Sequence, residues 1–183
     1  ISDDGTIKHF NTIAKNLMSD SIESVQLAPH GVVTDIYPAE GNEAGKIDLL
    51  HDKDRGEISC YARDNHTVIT QGPFELKQGD YGIAVRNPVY LNDENGQEYF
   101  WGFTIAILRV PDIFSDSISA LSNFGYEYKL SKTDTPWSDT YEVVCQSDGN
   151  LTNPVSYDFT IGEENWRFEV MPVSGWRNAK LIA

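Results

Sequence analysis

Apolar residues recur at three- and four-residue intervals through Ile7, Phe10, Ile13, Ala14, Leu17 and Met18. That period predicts an amphipathic helix over residues 4–19. The pattern then shortens. "ESVQLAP" and "GVVTDIYP" are two β-rich runs on either side of a Pro-His-Gly turn, and they predict a hairpin. The next stretch, "AEGNEAGKIDLLHDKDRGEISCYARDN", is polar, with Ile47, Leu50, Ile58, Tyr61 and Ala62 as its apolar points. It reads as a short helical turn and then a longer helix, with Asp52 placed to cap it. "TVITQGPFEL" is a strand interrupted by Gly72-Pro73.

Two long hydrophobic strands follow in "YGIAVRNPVYLNDENGQEYFWGFTIAILRV", joined through Asn95-Gly96, a strong hairpin-turn dipeptide. After "VPDIF" a helix is expected with Ile113, Phe114, Ile118 and Leu121 on one side, closing near Gly125. The remainder is β-rich: "YEYKLSK", "TYEVVCQS", "VSYDFTI" and "WRFEVMPV". Apolar residues alternate through Val155, Tyr157, Phe159 and Ile161 and again through Trp166, Phe168 and Val170, with Gly162 to Asn165 as the turn. Adjacent strands linked as hairpins predict antiparallel sheet and an α+β class. A break near Val110–Asp112 divides an N-terminal lobe from a smaller, β-rich C-terminal one.

Composition narrows the function classes. The 183 residues, 40% of them hydrophobic, suffice for a core in one domain or in two small lobes. Twenty-eight acidic against fourteen basic residues give a net charge of -14. So negative a surface repels phosphate backbones, which argues against nucleic acid, and it disfavours docking on an anionic membrane face. No run approaches the roughly 18 apolar residues of a spanning helix. The chain opens with "ISDDGTIKHF", without an initiator Met, and stops at "GWRNAKLIA", so it is expected to be part of a longer polypeptide. Cys60 and Cys145 either pair, closing a long loop worth about 4 kcal/mol, or are two separate buried small hydrophobes.

Catalytic and metal patterns are near misses. "GNEAGKID" is one residue short of a phosphate loop, and Ile47 stands where the magnesium ligand belongs. His9, His30, His51 and His66 are never at metal-ligand spacing, and "NDENGQE" lacks most ligands of a calcium loop. No catalytic residue, metal site or cofactor is expected. Arg86 is the conspicuous residue. It shares its strand face with Gly82, Ala84 and Pro88, while Tyr99, Trp101, Phe103 and Ile105 are expected to share a face of the neighbouring strand. Small residues beside a guanidinium and an aromatic-rich strand describe a pocket with a cationic floor. Pairing with an acidic neighbour on an open face is the other reading.

"LAPHGVVTDIYPAEGNEAGKIDLL", "YARDNHTVITQGPFELKQGDYGIAVRNPVYL" and "YFWGFTIAILRV" together resemble the CHASE family of extracellular sensor domains. The points of resemblance are "ARD" before a strand, the "GPFEL" strand, the "R-x-PVYL" ending and "WGF" opening an aliphatic strand. The tail "PVSYDFTIGEENWRFEVMPVSGW" looks like the end of bacterial members. The resemblance implies a non-catalytic, PAS-like sensor of a membrane histidine kinase, cyclase or phosphodiesterase. Residues 1–19 would end a stalk helix, 20–110 form the membrane-distal ligand-binding lobe, and 111–183 form a helix and the membrane-proximal lobe. It implies a homodimer anchored in the membrane by segments outside this chain and facing the extracytoplasmic side.

By the same resemblance, Asp48 matches an Asp that contacts the adenine-type ligand of plant members, and Gln71 stands where they carry a Thr, which speaks against a cytokinin ligand. Arg86 looks typical of bacterial relatives and implies a small molecule with an anionic group. Tyr37, Trp101 and Phe103 complete the candidate set with Asp48, Gln71 and Arg86. Two other function classes stay open: a dimerisation module without ligand, with Ile7, Phe10, Ile13 and Leu17 as its patch, and a hydrolase using distant carboxylates.

Overall fold

Period-two alternation becomes nine strands in two antiparallel sheets, among the residues described by the computed structural model (7–39, 44–45, 47–77 and 79–176). The class is α+β, as the alternation predicts. The chain divides into two compact units, Ile1–Arg109 and Val110–Ala183.

In the first unit, α1 (Phe10–Leu17) precedes β1 (Ile22–Pro29), β2 (Asp35–Tyr37), α2 (Gly56–Asp64), β3 (Ile69–Glu75), β4 (Tyr81–Asn92) and β5 (Glu98–Val110). The sheet order is β2-β1-β5-β4-β3. Helix α1 is the described part of the helix expected over 4–19; residues 1–6 lie outside the described ones. Its Phe10 and Ala14 pack with Leu27 and Trp101 on one face of the sheet. Helix α2 covers the other face, where Ile58 and Ala62 meet Ala28, Ile36, Ile69, Phe103 and Ile105. Burying each large aliphatic side chain there contributes about 1.5–3 kcal/mol.

The turns follow their chemistry. His30 (φ 52°) and Gly31 (φ 90°) reverse the chain between β1 and β2. Gly72-Pro73 stays inside β3 as a register shift between Gln71 and Phe74. At "NDENGQE" the Asp93 carboxylate accepts the N–H groups of Asn95 at 2.9 Å and Gln97 at 2.8 Å, with Gly96 at φ 78°. The expected short helical turn ahead of α2 falls partly on residues 40–43 and 46, outside the described residues. From 47 to 55 the backbone is turn, with one bridge between Val32 and Asp48.

One sequence expectation fails in β5. Uniform alternation puts Trp101 and Phe103 on one face, yet Trp101 packs in the α1 cluster and Phe103 in the α2 cluster. Phe100 joins Phe103 instead, their ring centroids 5.0 Å apart. The slip occurs at Gly102, whose φ of 155° and close approach to β1 admit no side chain. A Cβ there would lie 2.2 Å from the Ala28 carbonyl oxygen and 2.7 Å from the Pro29 Cα. A glycine inside a strand commonly marks such an approach.

In the second unit, a 3-10 turn (Asp112–Phe114) leads into α3 (Ser115–Asn123), which ends before Gly125 at φ 71°. Then come β6 (Tyr126–Thr133), β7 (Tyr141–Gln146), β8 (Val155–Ile161) and β9 (Glu164–Pro172), in the order β7-β6-β9-β8. Cys145, Leu130, Phe168 and Tyr157 form one apolar row across all four strands. The other face carries charge pairs, Arg167 with Asp158 at 2.7 Å and Lys129 with Glu169 at 2.5 Å. The β8–β9 turn is tighter than expected. Gly162 (φ 60°) and Glu163 make it alone, and Ile161 pairs directly with Glu164, as the twist of a two-residue hairpin favours. Cys60 in α2 and Cys145 in β7 are free thiols.

Candidate functional site

Arg86 lies on β4 directly across from Ile69 of β3, on the face that α2 packs against. Its residue surface is 3% exposed, so the open-face alternative for this side chain is excluded. Its guanidinium donates from Nη2 to Gln71 Oε1 at 2.6 Å. Nε and Nη1 are buried and have no hydrogen-bond partner among the described residues. The contrast with Arg109 on β5 is direct, because that side chain donates through Nε to Glu23 at 2.7 Å. Among the described residues, Arg86 makes no such ion pair.

A buried cation without a counter-charge is costly, and its acidity shows it. Burial, then the nearby Arg55 cation, bring the Arg86 pKa down to about 10, with Asp52 acting in the opposite direction. The group stays charged at neutral pH. Gln71 holds it in place from below: its amide nitrogen donates to the Asp54 carbonyl at 3.0 Å while its oxygen accepts from Arg86. The floor of the site is thereby tied to the turn that opens α2.

Donor geometry decides what such a group can bind. A guanidinium has five N–H donors in a planar fork. Each Nη2 hydrogen belongs to a different edge, one paired with Nε–H and the other with Nη1–H. Gln71 occupies one of them, so whichever it takes, a complete two-donor edge remains. That edge matches the two oxygens of a carboxylate or of a phosphate. Ser59 on α2 is also fully buried, and its Oγ has no hydrogen-bond partner among the described residues. Unpaired polar atoms thus occur on both layers, α2 and β4.

The other candidates divide. Gln71, Arg86 and Phe103 belong to the α2 side of the sheet. Tyr37 and Trp101 pack in the α1 cluster, on the opposite face. Asp48 is committed to its own turn: its carboxylate accepts from the Leu50 N–H at 3.1 Å and meets the His51 ring at 2.9 Å. The His51 bond, opposed by burial and helped by the His51 and Leu50 N–H groups, holds the Asp48 carboxyl below its ordinary value. Room above Gly82 is also taken, since a Cβ there would lie 2.7 Å from Leu76 Cδ2. Space beside Arg86 is therefore not supplied by that glycine.

Sequence reasoning missed Arg55 and Ser59. The signal was Gly56, which is buried at the start of α2, where a Cβ would lie 3.0 Å from the Leu50 carbonyl oxygen. A glycine following a charged run marked the point where that run approaches the fold. Asp52 does act at a helix entry, one turn earlier than the helix proper. Its carboxylate accepts the Asp54 and Arg55 N–H groups, each at 3.0 Å, and pairs with the Arg55 guanidinium at 2.8 Å. Burial opposes its charge, but these bonds and the Arg55 cation outweigh burial and lower its pKa.

Asp52→Ala is therefore expected to cost about 1–2 kcal/mol in urea unfolding, the range of a lost cap. A lowered pKa means this contribution is present above the ordinary 3.8 and is lost as pH falls through the lower folded value. The difference between wild type and variant should accordingly shrink in acid. An unchanged difference would remove Asp52 from this role. Hydrogen bonds likewise hold the Asp64 and Asp158 carboxyls below their ordinary value, through Arg63 and Arg167 respectively.

A family model described as "CHASE domain" matches residues 9–140. No curated protein matches the sequence. Among solved structures, the chain is similar to an extracellular ligand binding receptor from Desulfohalobium retbaense, at 15% identity and a TM-score of 0.60, over 90% of this chain and 33% of that one. The chain thus spans about a third of that receptor's length. It is also similar to the ligand binding domain of the amino acid chemoreceptor PctC of Pseudomonas aeruginosa, solved in complex with GABA. There the identity is 14%, the TM-score 0.56, and coverage 92% of this chain and 85% of that one. At these identities the likeness is one of fold.

Proposed function

This chain belongs to the CHASE domain family, and we propose that it is the extracytoplasmic sensor domain of a membrane signalling protein, taking up a small molecule through an anionic group held on Arg86. The observation that carries this reading is the buried guanidinium with Nε and Nη1 unpartnered. A fold tolerates an uncompensated cation at that depth when a ligand completes it. The first unit is then the ligand-binding, membrane-distal lobe, and the second the membrane-proximal one. GABA, bound by the chemoreceptor domain of similar fold, carries a carboxylate of the kind proposed.

Binding would act on α2, because Gln71 links Arg86 to the Asp54 carbonyl at its entry. A ligand that draws Arg86 toward itself competes with Gln71 and shifts the balance between two arrangements of that turn. Transmission to a cytoplasmic output domain would pass through segments outside this chain. A homodimer is part of the reading. Ile13 and Leu17 on α1 are 49% and 55% exposed, one helical turn apart, and pairing α1 with its copy would cover them.

Thermal unfolding against short carboxylic acids, amino acids and the amide of each tests the reading. An acid at 100 times its dissociation constant should stabilise the native state by about 2.7 kcal/mol, or about 5–10 °C for a chain of this size. Its amide should give almost nothing. Equal shifts from acid and amide, or shifts retained in Arg86→Met, would move the ligand away from Arg86.

A further inference from the structure

We propose that the second unit carries a separate binding site, for a compact, neutral, ring-containing molecule, in the apolar hollow between α3 and the sheet β7-β6-β9-β8. The proposal does not depend on Arg86. The hollow lies within one unit, opens to solvent beside Tyr157 and has a volume of about 400 Å³. That volume falls in the range of about 300–1,000 Å³ typical of small-molecule sites.

Its walls select the ligand. Ile118 and Leu121 form the α3 side, and Leu130, Phe159 and Phe168 form the sheet side. No residue of α3 is buried, so the helix roofs the sheet without filling the space beneath it. Among the described residues no Lys, Arg or His lines the hollow, and the chain carries a net charge of -14, so an anionic amphiphile finds no counter-charge. Polar groups on the lining are confined to the hydroxyls of Ser117, Tyr128 and Tyr157 and the Cys145 thiol.

Ring geometry adds shape. Tyr157, Phe159 and Trp166 stack in a row with centroids 6.1 and 6.2 Å apart and planes inclined by 20° and 26°. A flat ring laid parallel to Phe159 would meet a surface already arranged for offset stacking. The hollow also runs on along α3, since a neighbouring one shares Ser117, Leu121 and Phe168 and extends to Phe124, which is 81% exposed. Cys145 reports on the environment: burial pushes its thiol up to about 11, as apolar surroundings do.

The probe is N-phenyl-1-naphthylamine, a neutral aromatic dye, titrated into the chain carrying Cys60→Ser so that Cys145 is the sole thiol. The expected result is saturable one-to-one binding that slows maleimide labelling of Cys145 by about tenfold or more at saturation. Ile118→Trp, which fills the hollow, should weaken the dye by about tenfold. Ile13→Ser with Leu17→Ser, which removes the apolar patch of α1, should leave it unchanged. Three results would overturn the proposal. The first is refusal of the dye altogether; the second is binding that neither protects Cys145 nor senses Ile118→Trp; the third is exclusion by a second copy, with dye binding regained on dilution as light scattering shows the chain dissociate.

Discussion

Gly102→Ala is expected to destabilise the first unit by about 3–5 kcal/mol, the largest effect of any single methyl group added to the chain. Two costs combine. A backbone conformation at φ 155° suits glycine and costs an L-residue about 1–3 kcal/mol. The new Cβ would also stand 2.2 Å from the Ala28 carbonyl oxygen, a backbone atom fixed by the β1–β5 ladder, and overpacking adds about 1–3 kcal/mol. Relieving the clash means parting β1 from β5 at the centre of the five-stranded sheet. That would loosen both cores, because the slip at Gly102 is what sends Trp101 to α1 and Phe103 to α2. Urea unfolding, followed by tryptophan fluorescence, measures the cost. A loss below about 1 kcal/mol would show that β5 can regain plain alternation there, and the assignment of Trp101 to the α1 face would fall with it.

Arg86→Met should have the opposite sign on stability and the larger effect on function. The wild-type side chain leaves Nε and Nη1 without partners at 3% exposure. Replacing an uncompensated buried cation with an apolar chain of similar length removes a desolvation cost, and such exchanges stabilise by about 1–4 kcal/mol. Ligand-induced stabilisation by acids should vanish in the same variant. The pH dependence has a defined sign. A folded pKa of about 10, below the ordinary guanidinium value, means that the unfolded chain binds more protons between the two. Unliganded wild type therefore gains stability as pH rises through about 10, whereas the Met variant lacks this term. A bound carboxylate favours the charged guanidinium and should reduce the gain. If Arg86→Met instead weakens the unliganded fold by several kcal/mol, the guanidinium is a structural tie through Gln71 and not a receptor for an anion.

Much of the fold was legible because it rests on local periodicity. Val155, Tyr157, Phe159 and Ile161 alternate without interruption, and Gly162 supplies the positive φ that closes their hairpin. The same rule misled at Trp101, where one glycine reverses the side-chain direction while leaving the strand intact. Alternation assigned Arg86 to the face of Gly82 and Ala84 correctly, but could not tell whether that face was wet. Covering depends on α2, which packs there from a remote part of the sequence. Asp48 and Tyr37 show the limit from the other side: both belong to the candidate set, yet Asp48 spends its carboxylate on its own turn and Tyr37 faces α1. Arg55 and Ser59 became visible only once the charged run and α2 were set beside β3 and β4. Side-chain satisfaction, which singles out Arg86 from Arg109, is not a property of sequence spacing.

The most direct test of the central claim is the side-chain N–H signal of Arg86 in an NMR spectrum of isotope-labelled arginine, assigned by its loss in Arg86→Met. The acid that stabilises the chain most is titrated against it, beside its amide. The account predicts that the Arg86 Nε–H or Nη–H signals move downfield to saturation with the acid alone, with the same affinity as the thermal shift. An acid that stabilises the chain while the Arg86 signals stay still would contradict it.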